Sequence, residues 1–153
     1  MTGSPAVIAS LRAAQDLEAT LSLQYGLDAS CLEDMGLKKL AKRANRYSDE
    51  AEDYLDKITD RILFLEGDPS FNSANIKAQL SITDLLRNEL DMEMLIVEPY
   101  EGSIQIAVAA RDDTTRNLFE HLLKWHQKHI DWIEEQLTLI DALGEVVFIA
   151  QKI

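Results

Sequence analysis

Four long stretches of helical periodicity, broken by two short joins and one long one, constrain this chain more than any other feature. Ser4-Pro5 is a helix start, with serine at the N-cap and proline at the first helical position. Val7, Ile8, Leu11, Ala14, Leu17, Leu21 and Leu27 then carry a helical period to about Cys31. Gly36 punctuates, and a second helix is predicted from about Leu37 to Leu65, stopped by Glu66-Gly67-Asp68-Pro69. Ser81-Ile82-Thr83-Asp84 has capping-box spacing and opens a third helix carrying Leu85, Leu86, Leu90, Met94 and Val97. Pro99 lies inside it and is expected to kink it. The fourth runs from about Asp112-Asp113-Thr114 to Leu143, and Gly144 separates it from a short fifth helix over 145–152. Helices of roughly 27 to 31 residues are about 40 to 46 Å long. The short joins make antiparallel pairs, whereas 68–80 is long enough to cross the bundle end to end. The expected architecture is an all-α four-helix bundle with a long crossover between helices 2 and 3 and a short C-terminal helix.

At 153 residues the chain is expected to be one domain, 1–153, with a real core. A net charge of −12 argues against nucleic acid as a partner, since little here would neutralise a phosphate backbone. No apolar run of about 18 residues appears, so no membrane span is expected. Met1-Thr2-Gly3-Ser4-Pro5 lacks the basic region and apolar block of a secretory signal, and the single cysteine, Cys31, suits a reducing compartment. The expected location is cytoplasmic.

The polar residues on inward stripes carry the functional question. His126 and His129 are three apart on the fourth helix, flanked by Leu118, Leu122, Trp125, Trp132, Ile133 and Leu137, so both imidazoles share a face. Glu18 and Tyr25 share a stripe of the first helix, and Glu93 interrupts the apolar line of the third. A carboxylate on a core stripe is costly unless it is paired, hydrogen-bonded or bound to metal. Glu18, Glu93, His126 and His129 are therefore a candidate ligand set for iron or zinc. The competing reading is a buried network in which the histidines satisfy the carboxylates. The second helix presents Tyr47, Ala51, Tyr54 and Ile58 inward, while Glu50 and Asp53 sit about 100° out of phase, towards solvent or a partner. His121 is expected at the surface or an interface, and Trp125 and Trp132 in a core or an interface.

The chain also resembles bacterioferritin along nearly its whole length. The resemblance rests on Gln24-Tyr25, Met35-Gly36-Leu37-Lys38-Lys39-Leu40, the specific run Asp60-Arg61-Ile62-Leu63-Phe64-Leu65-Glu66-Gly67, His129-Ile130-Asp131-Trp132, and Leu143-Gly144-Glu145. It implies a ferritin-like bundle assembling as a hollow cage of 24 subunits, with haem at twofold interfaces and iron mineral inside. The family's ferroxidase site takes one glutamate from each of two helices and a Glu-x-x-His from each of the other two. By that resemblance Glu18 and Glu93 match the single glutamates and His129 the second histidine, while His126 replaces a glutamate. Ala51 stands where the bridging glutamate belongs and Tyr54 where the other histidine belongs. The family's haem-ligand methionine falls at Glu52, on a face that also carries Asp49 and Asp53, with Ala19 and Gly26 small.

The resemblance and its gaps together imply a divergent, iron-storing cage subunit with a degenerate ferroxidase centre. Conventional ferroxidase activity is not expected of it alone. Iron is expected as mineral or at the remnant set Glu18, Glu93, His126 and His129, and haem is not expected in the usual mode. The expected partners are further copies of the chain, with co-assembly with a second, catalytically intact bacterioferritin-type subunit as an option. Two alternatives stay open: a remodelled mononuclear metal site built from Glu18, Glu93, His126 and His129, with Tyr25 and Tyr54 as phenolate ligand or redox residue, and a non-metal interaction protein that has kept the bundle, with His126 and His129 bonded to Glu18 and Glu93.

Overall fold

The helices end where local turn chemistry stops them. The computed structural model describes residues 2–70 and 72–153. They form α1 (Pro5–Asp34), α2 (Lys38–Phe64), α3 (Ile82–Ala109), α4 (Asp113–Leu143) and α5 (Glu145–Lys152). After α1 the chain turns at Gly36, whose φ of 79° is the left-handed conformation glycine tolerates best. Leu37 N–H then reaches back to the Leu32 carbonyl at 2.9 Å, closing the helix end. Ser4 caps α1 by backbone conformation only, whereas the Ser81 hydroxyl accepts from Asp84 N–H at the start of α3. Pro99 does not end α3, which continues to Ala109; the carbonyl left without its amide belongs to the exposed Leu95.

α1 pairs with α2 and α3 with α4, the two antiparallel hairpins expected from the short joins. The connection between α2 and α3 runs along α1, held by a polar row one turn apart. Asp16 Oδ1 accepts from Asn72 N–H at 2.8 Å, Thr20 Oγ1 from Ala74 N–H at 2.9 Å, and Gln24 grips Lys77 through both amide ends. The connection thus returns the chain to the far end of the bundle, and α3 lies parallel to α2. No helix among the described residues is long and apolar enough to cross a membrane.

The Asp60–Gly67 run has a structural explanation. Arg61 donates to Asp112 Oδ1 at 2.7 Å and to Thr115 Oγ1 at 3.1 Å, fastening α2 to the α3–α4 turn. Asp112 at the same time caps α4 through Thr115 N–H at 3.0 Å. Gly67 lies so close to α1 that a Cβ there would stand 2.8 Å from Ile8 Cγ2. Two apolar clusters fill the interior. One is built around Leu11, Tyr25, Ile58, Tyr100 and Phe119, the other around Leu37, Leu85, Ile133 and Phe148 of α5.

Because the Arg61–Asp112 pair is mostly buried, Arg61→Ala is expected to lower unfolding free energy by about 2 kcal/mol, the scale of a hydrogen bond between charged groups. Chemical denaturation of the variant beside the native chain measures it.

Candidate functional site

Glu18 from the middle of α1, Glu93 from the middle of α3 and His126 from the middle of α4 meet in the bundle interior, each fully buried. They do not surround an open space; they bond to one another. His126 Nδ1 lies 2.7 Å from Glu93 Oε2, and His126 Nε2 lies 2.8 Å from Glu18 Oε2. A neutral imidazole carries one N–H only, so it would press a lone pair against one of these carboxylates. Between two ionised carboxylates, both short contacts are satisfied by the imidazolium, with both nitrogens donating.

Two tyrosines close the trio. Tyr25 O–H donates to Glu93 Oε1, and Tyr100 O–H donates to Glu18 Oε2 at 2.5 Å. Glu93 thus accepts on both oxygens, and of the side-chain polar atoms of the trio only Glu18 Oε1 has no partner among the described residues. Ala51, buried on α2, contributes a methyl group and no charge.

His129 does not join them. Its ring stacks on Tyr47 at 3.7 Å between centroids and meets Tyr25 edge-on at 5.1 Å. It lies near the Glu89 carboxylate, with Nε2 3.9 Å from Oε1, and neither ring nitrogen has a hydrogen-bond partner among the described residues. Of the four ligands expected from the sequence, the structure therefore unites Glu18, Glu93 and His126 and turns His129 to a different neighbourhood. In these positions no three or more His, Cys, Asp or Glu among the described residues are arranged to hold a metal ion.

Residues 8–143 match the ferritin-like domain family. The chain is 32% identical to the bacterioferritin of Streptomyces coelicolor over 154 residues, covering 100% of this chain and 92% of that protein. This chain belongs to the bacterioferritin family. It is 33% identical to the bacterioferritin of Rhodobacter capsulatus, over 94% of this chain and 90% of that one. Among solved structures, a mycobacterial bacterioferritin superposes with a TM-score of 0.97 at 29% identity, covering 100% of this chain and 96% of its own. The Rhodobacter capsulatus bacterioferritin structure, described with a metal-free dinuclear site and haem iron, superposes with a TM-score of 0.95 at 32% identity, covering 99% of this chain and 96% of that one.

Within this bacterioferritin-family bundle the electrostatics follow from the bonds. Burial on its own would disfavour a charged imidazole at position 126. The carboxylates of Glu18 and Glu93 outweigh it and hold His126 up at about 10. Burial, then the neighbouring carboxylates, raise the Tyr25 and Tyr100 phenols well above their usual value, so both stay protonated as donors. His129 goes the other way: burial, with the positive charges of Arg43 and His126 nearby, pulls it down to about 2. One helix thus presents a cation and, one turn later, a neutral ring.

Several participants were not picked out from sequence. Tyr100 lies one residue past the predicted kink, yet it continues the buried Glu89, Glu93, Ile96 stripe at helical spacing, and that stripe was the available signal. Asp28 and Glu89 are buried too, each roughly one turn from Tyr25 and Glu93. On α2, Asp53 faces solvent as expected, while Glu50 is half-buried because Trp125 Nε1–H donates to it at 2.6 Å. His121 is exposed, with Nδ1 2.7 Å from the Asn117 carbonyl, and Cys31 is half-buried.

The face bearing Glu52 is a shallow groove of about 590 Å³, walled by Ala19, Ser22, Leu23, Glu52, Leu55, Asn72 and Ser73. Neither methionine nor histidine lines it. Its residues do not fit a haem iron that expects a thioether.

Two consequences can be measured by thermal unfolding across pH. His126 titrates near 6.5 in an unfolded chain and at about 10 here. Its contribution is therefore fully present below about pH 6.5 and is lost as pH rises through about 10. His129 has the opposite sign: depressed to about 2, it contributes above about pH 6.5 and loses that contribution as pH falls. Stability is expected to decline from pH 7 to 10, and His126→Gln should make that decline shallower. The same variant should cost about 3–5 kcal/mol at pH 7, since it leaves two buried carboxylates without their cation.

Proposed function

We propose that this chain is a cage-forming, iron-storing subunit whose ferroxidase position is closed by a proton, so that iron oxidation is supplied by a second, intact bacterioferritin-type subunit. One observation carries the reading: His126 occupies the space between Glu18 and Glu93 and bonds both. An ion entering there would have to displace a buried imidazolium from two carboxylates and find replacements for the charge that Ala51 and Tyr54 do not carry. Two ferrous ions a few ångströms apart need anionic bridges to offset their repulsion, and the trio has two carboxylates already committed to donors.

Iron enters this picture as cargo, stored as mineral inside the assembly. Haem in the usual mode has no ligand at Glu52, and a twofold contact through this face would set Asp49, Glu52 and Asp53, all exposed, towards their copies. Like charges oppose such a contact. A partner surface that is basic, or that brings its own haem, relieves the repulsion, which favours mixed over homomeric pairing.

Purified alone, the protein is expected to oxidise Fe(II) no faster than buffer under air. Co-expression with an intact bacterioferritin subunit should give mixed particles that oxidise and store iron. The combined variant Ala51→Glu, Tyr54→His and His126→Glu should gain a rapid phase by restoring the family's donor types. A rapid, stoichiometric oxidation phase in the native chain alone would overturn the proposal.

A further inference from the structure

The charges of α2 are sorted along the helix, and the closed trio makes no use of that order. On the exposed side Lys38, Lys42, Asn45, Asp49, Glu52 and Asp56 follow one another at alternating steps of four and three residues. Steps of that kind keep side chains in one line along a helix. The line begins with two cations, passes a neutral amide and ends with three anions. Within α2 this order costs stability. Lys38 with Lys42, and Glu52 with Asp56, are like-charged neighbours one turn apart. The lysines stand near the positive pole of the helix, whose first turn holds no acid. Among the described residues none of the six side chains is in an ion pair. The pattern therefore lacks its complement inside the chain.

It is complementary to itself. On an antiparallel copy, with a twofold axis at position 47, Lys38 stands opposite Asp56, Lys42 opposite Glu52 and Asn45 opposite Asp49. Each contact occurs twice, because a twofold interface is isologous. With the axis at Glu52 instead, Glu52 faces its own copy, and Asp49 and Asp56 crowd within about a turn of it. The two arrangements differ by a slide of about 15 Å of one helix along the other, at about 1.5 Å per residue. Charge of this kind selects register more than it supplies affinity. Apolar contact is available alongside: Leu23 of α1 is 51% exposed and, with Ala19 and Leu55, walls the shallow groove that Glu52 borders.

We infer that the chain, without a second subunit type, pairs with its own copy through α2, antiparallel and centred on position 47, in a register set by Lys38–Asp56 and Lys42–Glu52 ion pairs. The inference rests on the proposed reading only in that mixed pairing competes for the same face.

Sedimentation velocity of the intact chain alone, with no iron and no second subunit, tests it. A dimer is expected, weakening at least about tenfold between about 0.02 and 0.5 M salt. Lys38→Glu with Lys42→Glu should weaken it at least about tenfold, and so should Glu52→Lys with Asp56→Lys. All four positions are exposed, and circular dichroism checks the fold of each variant. Mixed in equal amounts, the two double variants should pair with each other, a rescue that a structural role for these side chains would not produce. Cross-linking reads the register. With Cys31→Ala throughout, Asn45→Cys with Asp49→Cys should give a disulfide-linked dimer on mild oxidation, and Glu52→Cys should not. A monomer, a closed cage, a dimer indifferent to charge reversal, no pairing in the mixture, or ready cross-linking through Glu52→Cys would each overturn the inference. None of these outcomes touches Fe(II) oxidation, which tests the storage role separately.

Discussion

The imidazolium of His126, clamped between Glu18 and Glu93, is the interaction that holds the polar interior of this bundle together. Two carboxylates projected into a core from different helices cannot stay ionised without a counter-charge within reach. In the family's donor pattern that charge comes with metal ions. Here a side chain of the bundle brings it, and Tyr25 and Tyr100 take up further lone pairs. The trio crosses α1, α3 and α4, so the bonds that join these side chains also pin three helices in register.

The scaffold and the polar site are held by separate sets of contacts. Arg61 with Asp112 and Thr115, the close approach at Gly67, and the row of α1 side chains that carries the crossover all concern how the bundle is held. These features agree with a family whose solved members superpose almost completely on this chain. In the proposed reading, Ala51, Tyr54 and His126 change what the interior binds while the backbone around them keeps the family's bundle. Function resides in the site rather than the fold, and a fold kept intact is no evidence for the chemistry kept with it.

Much of this was legible in the sequence. Turn signals placed the helices and the long connection, because glycine at Gly36 and Gly144 and the Glu66–Pro69 stop act locally. Stripe positions placed Glu18, Glu93 and His126 in the interior, because helical spacing fixes which face a residue leaves from. It does not fix where a side chain ends. Whether the four polar residues form a ligand set or bond one another depends on rotamers, and His129 shows the difference: it leaves the same face as His126 but stacks on Tyr47. Glu50 was hidden for the same reason, since Trp125 reaches out to it from α4. Asp28 and Glu89 were hidden because each lies a turn away from the residues that the family pattern draws attention to.

Closure of the site by a proton can be read from nitrogen-15 magic-angle-spinning NMR of histidine-labelled protein at pH 8.5, with His126 assigned by its loss in His126→Gln. A closed site requires a proton on both Nδ1 and Nε2 of His126, unchanged when Fe(II) is added anaerobically. A neutral His126 ring, or a doubly protonated one that loses its proton as Fe(II) binds, would show instead that the position is open to metal.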